Sequence, residues 1–263
     1  MHPRATSICI LATLVLLGGC ATVETDADFD AARQLVAEST GQQDLYTPAD
    51  DEAIADKVAA LRADGLTADE AVAIALLNNP RFQAAAMNVG MARADLVQSG
   101  LLSNPVLGVG ILLPSSGGLA NIQADLAQNI SDLWQIPVRQ RSADAALSAA
   151  ILNLARDAAD VAARTKSAYF AVVAADERHQ VALQNSEAAR QAYDAARIRR
   201  DAGAATDLDA NLAQSQLLDT ELAAVAARLQ AANARRRLAQ LMGFAEPPGE
   251  LVLTDALPVA MPT

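Results

Sequence analysis

The sequence predicts a mainly α fold built on a very long antiparallel helical hairpin, with a two-stranded β-hairpin joined to it. Three observations carry this. The stretch from about Val138 to Asp201 holds no Pro or Gly, and small or apolar residues recur at alternating steps of four and three: Leu147, Ile151, Leu154, Ala158, Val161, Thr165, Ala168, Val172 and Ala175. That spacing, close to 3.5 residues, is the signature of a helix packed along its length. Ala202-Gly203-Ala204-Ala205 then breaks the run, and a second helical stretch leads to Gly243. Finally, residues 121–130 alternate polar and apolar side chains, the period of a strand with two unlike faces.

Composition bounds the rest. The chain has 263 residues, 52% hydrophobic and only 3% aromatic, with a formal charge of −11. Alanine makes up roughly a quarter, well above ordinary usage. Small residues let helices pack closely over great length but do not fill a globular core. The acidity sits near the N-terminus, with thirteen acids and three bases between Glu24 and Glu70. From Pro137 to Gly243 there are twelve acids and fourteen bases, so the long helices are close to neutral. No basic stripe with interleaved aromatics exists, which argues against nucleic acid.

The N-terminus reads as a targeting segment, residues 1–19. Arg4 supplies a positive start, and Ile8 to Leu17 is an apolar run of signal-peptide length, too short to span a bilayer. It ends in Leu17-Gly18-Gly19-Cys20, which resembles a bacterial lipobox and implies acylation of Cys20. An export signal with an incidental Cys is the alternative. Cys9 leaves with the signal, so no thiol pair remains for a disulfide or metal. Ala21 stands where an Asp commonly marks inner-membrane retention, which favours the outer membrane.

Residues 20–65 form an acidic tether and peripheral segment, with short helices expected near 28–39 and 48–62. Thr67-Ala68-Asp69-Glu70 is a capping box opening a helix over 67–78. Asn79 as N-cap and Pro80 at the first helical position start another over 80–102. The β-hairpin is expected over 105–131. Its first strand is apolar with glycines, Val106 to Leu113, and Pro114 to Gly118 is the loop. Its second strand places Asn121, Gln123, Asp125 and Asn129 on one side, with Ile122, Ala124, Leu126 and Ile130 on the other. Polar and apolar faces over about ten residues fit a membrane strand lining a wet lumen. Trp134, just beyond, would serve as an interfacial anchor. A soluble amphipathic hairpin satisfies the same alternation.

Pro137 is expected to open the long helix over 138–202, about 97 Å between Val138 and Asp201. Arg197, Arg199 and Arg200 suit its C-terminus, and Gly203 suits the left-handed position that ends a helix. Thr206 and Asp209 cap the second arm, 206–242, about 55 Å long, which carries Leu208, Leu212, Ser215, Leu218, Leu222, Val225, Leu229 and Ala232 on one face. A small domain is only about 30 Å across, so the long helix cannot fold into an ordinary core. Stacked on the second arm, the 80–102 helix would nearly match it in length. A rod results, with strands at one end and the turn at the other. Residues 244–263 are read as a tail gathered at its middle. A solvent-exposed coiled-coil hairpin is the plainer alternative.

Several segments now resemble one family: Leu66-Thr67-Ala68-Asp69-Glu70-Ala71-Val72 with Ala75-Leu76-Leu77-Asn78-Asn79-Pro80; Gly100-Leu101-Leu102-Ser103-Asn104-Pro105; Ala202 to Asp209; and Leu238-Ala239-Gln240-Leu241-Met242-Gly243. Each is weak alone. Together, in this order and over residues 66 to about 258, they are similar to the TolC family of outer-membrane efflux channels. The resemblance implies lipid-anchored protomers whose helices form an α-barrel and whose strands form an oligomeric transmembrane β-barrel. It implies partners: a periplasmic adaptor (membrane fusion protein), an inner-membrane pump, outer-membrane lipid and further copies in a closed barrel. Adaptor docking at the periplasmic tip maps onto Gly203, Ala204, Thr206, Asp207 and Leu208. The family carries this unit twice and the sequence shows it once, as residues 66–243. Six copies would supply the family's twelve strands; a truncated channel, or a lipoprotein acting as a poreless structural or adaptor hairpin, are the alternatives.

Enzyme chemistry has no footing in these residues. His179 stands alone within the long helix, and no HExxH, Walker loop, GxSxG or Cys/His cluster occurs. No cofactor or metal is expected. Asp207 and Asp209 are explained by the helix cap.

Overall fold

The computed structural model describes residues 22–48, 51–112, 121–245 and 251–257. In chain order the elements are α1 (Asp26–Thr40), α2 (Asp51–Leu61), α3 (Ala68–Asn78), α4 (Pro80–Ser99), β1 (Val106–Leu112), β2 (Asn121–Ala127), α5 (Asp132–Asp201) and α6 (Asp207–Leu241). The fold is mainly helical, with one two-stranded antiparallel sheet, as the sequence predicts. At 70 residues α5 is about 105 Å long. The chain divides into two compact units, each discontinuous: one takes residues up to Asp30 with Asn88–Leu152, the other Ala31–Met87 with Asn153 onward. This differs from the sequential division into 20–65, 66–243 and 244–263, because α1, α4 and α5 each run through a unit boundary.

In the first unit Phe29, Val89 and Leu147 are buried. Asp28, buried on α1, takes a fork of hydrogen bonds from Arg93 on α4. Asp28 raises the Arg93 guanidinium above its usual pKa, first through these hydrogen bonds. Such a pair holds two helices in register and needs both partners, because either charge left alone would be costly to bury.

In the second unit α3 is apolar all round from Ala71 to Leu77, and Ala71, Val72, Ile74, Ala75, Leu76 and Leu77 are all buried, as a central helix must be. Its start is over-determined. Thr67 and Glu70 form the capping box, and Asp255 accepts a further bond from the Ala68 N–H at 2.7 Å. At its end, Asn79 Oδ1 accepts from the Arg81 and Phe82 amides and so caps α4. The side-chain amides of Asn78 and Asn79 donate to the carbonyls of Met242 and Leu241 at 2.9 and 2.8 Å. Two carbonyls at the end of α6, which have no partner within that helix, are thereby satisfied. Gly243, at φ +83°, closes α6 with bonds from Gly243 N–H to Gln240 and from Phe244 N–H to Ala239. This is the left-handed stop expected at this glycine. A Cβ there would overlap the Asn78 backbone, so the position has no room for another residue.

The same unit ties residues 252–255 to Leu66. Leu66 and Leu253 form a parallel bridge, with Leu66 N–H bonded to Val252 and Thr254 N–H bonded to Leu66. The wholly buried Tyr169 of α5 donates its hydroxyl to the Leu66 carbonyl at 2.7 Å and accepts from the Thr254 and Asp255 amides. One side chain thus ties together two segments of backbone that have no sheet to join.

Three expectations are corrected. The long helix begins at Asp132, so Pro137 lies within it rather than opening it, and Trp134 sits in its first turn, exposed. Pro137 costs only one bond, to Leu133, close to the end where amides lack partners anyway. Helix α4 stops at Ser99, short of 102, because the Gly100 and Leu101 amides tighten onto Val97 and Gln98. Strand β2 ends at Ala127, three residues before Ile130. The structure adds that α6 does not bury its leucine stripe. It buries Ala210, Leu217, Ala224, Ala231 and Leu238, at steps of seven, with Ala239 beside the last. Leu208, Leu212, Leu218, Leu222, Val225 and Leu229 are exposed. Alanines let two backbones approach closely, so they take the seam within the chain. Ion pairs Arg190–Glu221 and Arg235–Asp176 lace α6 to α5. On α5 the expected stripe is buried or half-buried throughout.

Candidate functional site

The β-hairpin pairs from Val106↔Ala127 to Leu112↔Asn121 in unbroken antiparallel register. Successive strand residues point to opposite faces. One face therefore collects Leu107, Val109, Ile111, Ile122, Ala124 and Leu126, and every one is apolar. The other has Gly108, Gly110, Gln123 and Asp125 at its centre, with Val106, Ala127, Leu112 and Asn121 at its ends. The apolar face is bare: Leu126 is 71% and Ile122 68% exposed. Six of the eight strand residues singled out from sequence fall in β2, with Ile122, Ala124 and Leu126 on the apolar face and Asn121, Gln123 and Asp125 on the other. Asn129 and Ile130 lie in the turn beyond. Asn129 Oδ1 accepts from the Ser131 amide and hydroxyl, and the Ile130 carbonyl accepts from Leu133 N–H. Asparagine favours such local turns over a ladder.

The root of the hairpin is pinned by Asp132, 2% exposed. Its carboxylate accepts from the Ser103 amide at 2.8 Å, from the Ser103 hydroxyl, and from Arg139 at 3.3 Å. The Ser103 bonds first, then the Arg139 charge, hold the Asp132 carboxyl below the usual carboxylate range. Gln128 donates to the Ser103 carbonyl at 2.8 Å. Residue 103 precedes β1 and residue 132 follows β2, so these bonds close the hairpin at its base. No local sequence pattern links positions 29 residues apart, which is why this pair was missed.

At the other candidate, the turn 202–206, Gly203 takes φ +72°. The Gly203 and Ala204 amides bond to Arg200 and Arg199, the same stop as at Gly243. Thr206 caps α6 in a reciprocal box with Asp209. The Thr206 amide, then its hydroxyl, then the nearby Arg199 charge hold the Asp209 carboxyl below its usual range. Arg200 lies 2.7 Å from Asp201 and 3.9 Å from Asp207, so a charge network spans the turn. Gly203, Ala204, Thr206, Asp207 and Leu208 are all exposed, and a Cβ on Gly203 would meet nothing within 4 Å. The turn is rigid by its bonds and open around its smallest residues.

Leu208 is also the first member of the exposed α6 stripe. Helix α6 therefore carries two seams on roughly opposite sides, one filled within the chain and one bare. Cys20 lies outside the described residues. Among the described residues no cluster of His, Cys, Asp and Glu could hold a metal, and no helix is long and apolar enough to cross a membrane.

Residues 71–244 match the family described as outer membrane efflux protein. A search of curated proteins finds no match. Among solved structures, the fold is similar to the CmeC outer membrane channel of Campylobacter jejuni, with TM-score 0.57 and 21% identity over 66% of this chain and 40% of that one. It is similar to the outer-membrane channel OprN, with TM-score 0.56 and 20% identity over 89% and 52%. It also resembles the open state of the MtrE outer membrane channel of Neisseria gonorrhoeae, with TM-score 0.53 and 19% identity over 67% and 41%. The chain thus spans about half or less of the length of these channels.

Proposed function

The chain belongs to the outer membrane efflux protein family, a family of channels rather than enzymes, and from that premise we propose that it forms part of an outer-membrane efflux conduit. The observation that carries the proposal is the hairpin. Its two strands leave two unpaired edges, and one of its faces is wholly apolar and bare. Lipid tolerates no open sheet edge, so such a hairpin can enter a bilayer only within a closed barrel. Further strands, from other copies of this chain, complete it. Ile122, Ala124 and Leu126 face lipid; Asn121, Gln123 and Asp125 face the lumen. The second seam of α6 supports the same reading. A helix with apolar residues on both sides suits a wall in which each helix has two neighbours.

Cys20 is the lipid anchor that holds the chain at the outer membrane, its helices extending into the periplasm. Cys20→Ser abolishes labelling by a clickable fatty acid and leaves an unprocessed precursor; persistent labelling of the variant would reject the assignment.

A periplasmic adaptor docks on the turn at Gly203, Ala204, Thr206, Asp207 and Leu208 and links the conduit to an inner-membrane pump. Small, exposed residues on a rigid turn let a partner hairpin approach closely. A cysteine placed by Ala204→Cys therefore cross-links to the cognate adaptor, and Ala204→Trp loses efflux while still assembling. Normal efflux by assembled Ala204→Trp, with no cross-link at any turn position, would leave a plain chain reversal. Gly203→Val is a poorer probe, because strain at φ +72° would damage the turn itself.

A further inference from the structure

Asp125 is the single ionisable side chain between Ser103 and Asp132. The hairpin therefore carries charge of one sign only. The register sets where that charge stands. Asp125 pairs with Gly108, and the next pair on the same face is Gly110 with Gln123. A Cβ on Gly108 would lie 2.6 Å from the Asp125 carboxylate, so the carboxylate occupies space that the glycine leaves empty. Gly110 meets nothing within 4 Å. No residue of this face is cationic, and the β1 residue paired with the acid is a glycine, which has no side chain. The opposite face bears six apolar residues and cannot hold the charge.

We propose that Asp125 makes the strand portion of the conduit cation-preferring, so that cationic cargo passes it more readily than anionic cargo of the same size. The proposal rests on the barrel reading above. Copies of one hairpin around a closed barrel put their Asp125 carboxylates at one height, forming a ring. Rings of Asp or Glu select cations in other pores. A ring of fixed charge acts only over the local Debye length, which is about 30 Å at 0.01 M salt and about 3 Å at 1 M. The preference is therefore strong in dilute salt and fades in concentrated salt. The glycines deepen this effect, since they leave β1 without a side chain opposite Asp125 and Gln123.

The test is the reversal potential of the full chain, purified from outer membranes, in planar bilayers across a potassium chloride gradient. At low salt the wild type shows a cation-preferring potential that shrinks toward zero as total salt rises toward 1 M. Asp125→Asn, which keeps the shape, shifts the low-salt potential toward zero with unit conductance nearly kept. Gln123→Lys, on the same face, shifts it in the same direction without touching Asp125. An open channel whose selectivity is unmoved by Asp125→Asn, or independent of salt, overturns the role of Asp125 and leaves the barrel standing. A chain that inserts and never conducts overturns both.

Discussion

Leu126→Arg weakens membrane assembly by about 2–4 kcal/mol with the residue near the bilayer midplane, which is roughly 30- to 700-fold in the assembled fraction. Leu126 is 71% exposed on a face with no polar member, so the cost comes from moving a guanidinium into hydrocarbon and owes nothing to lost packing. Asp125→Asn, one residue away on the other face, leaves assembly nearly unchanged. The pair is informative because the two positions share a strand, a register and an exposure, and differ only in the side they face. Recovery of folded protein in the outer-membrane fraction, over a urea series, reads both. Small and similar losses from the two substitutions would favour a soluble hairpin.

Tyr169→Phe destabilises the second unit by about 1–3 kcal/mol, the cost of losing the bonds that its buried hydroxyl makes to Leu66, Thr254 and Asp255. The hydroxyl accepts from the Asp255 amide at 3.0 Å. Thr254 N–H loses less, since it also bonds to the Leu66 carbonyl at 3.1 Å. The ring itself stays, so packing against Phe170, at 5.3 Å between ring centroids, is preserved. The readout is local: hydrogen exchange at residues 252–255 accelerates before the helices melt. Unchanged exchange there would mean that Asp255, through its bond to the Ala68 amide, holds the segment without Tyr169.

Much of this architecture is legible in the sequence because its signals are local. Thr67 with Glu70, Thr206 with Asp209, Asn79 with Pro80, and the glycines at 203 and 243 each act within four residues, and all take the geometry their chemistry dictates. What the sequence hides is which of two apolar stripes a helix buries. On α6 the leucines are the stronger signal, yet the alanines at 210, 224 and 231 lie in the seam. Hydrophobicity ranks surfaces by transfer energy, whereas close helix packing selects for small size. The Ser103–Asp132 lock and the Tyr169 hub were equally invisible, since each joins segments far apart in the chain. The glycines of β1 carried a signal that could have been read: spaced by two, they had to share one face.

The most direct test of the barrel reading is residue-by-residue water access along β2 in intact outer membranes. Single cysteines replace residues 121 to 126 in turn, in a background whose only other mature cysteine is Cys20, and a membrane-impermeant maleimide is added after the loop and the lumen are opened to it. The account gives strong labelling for the variants at Asn121, Gln123 and Asp125, and protection for those at Ile122, Ala124 and Leu126. Equal labelling of all six in stably assembled protein would contradict it, because both faces of the hairpin would then stand in water.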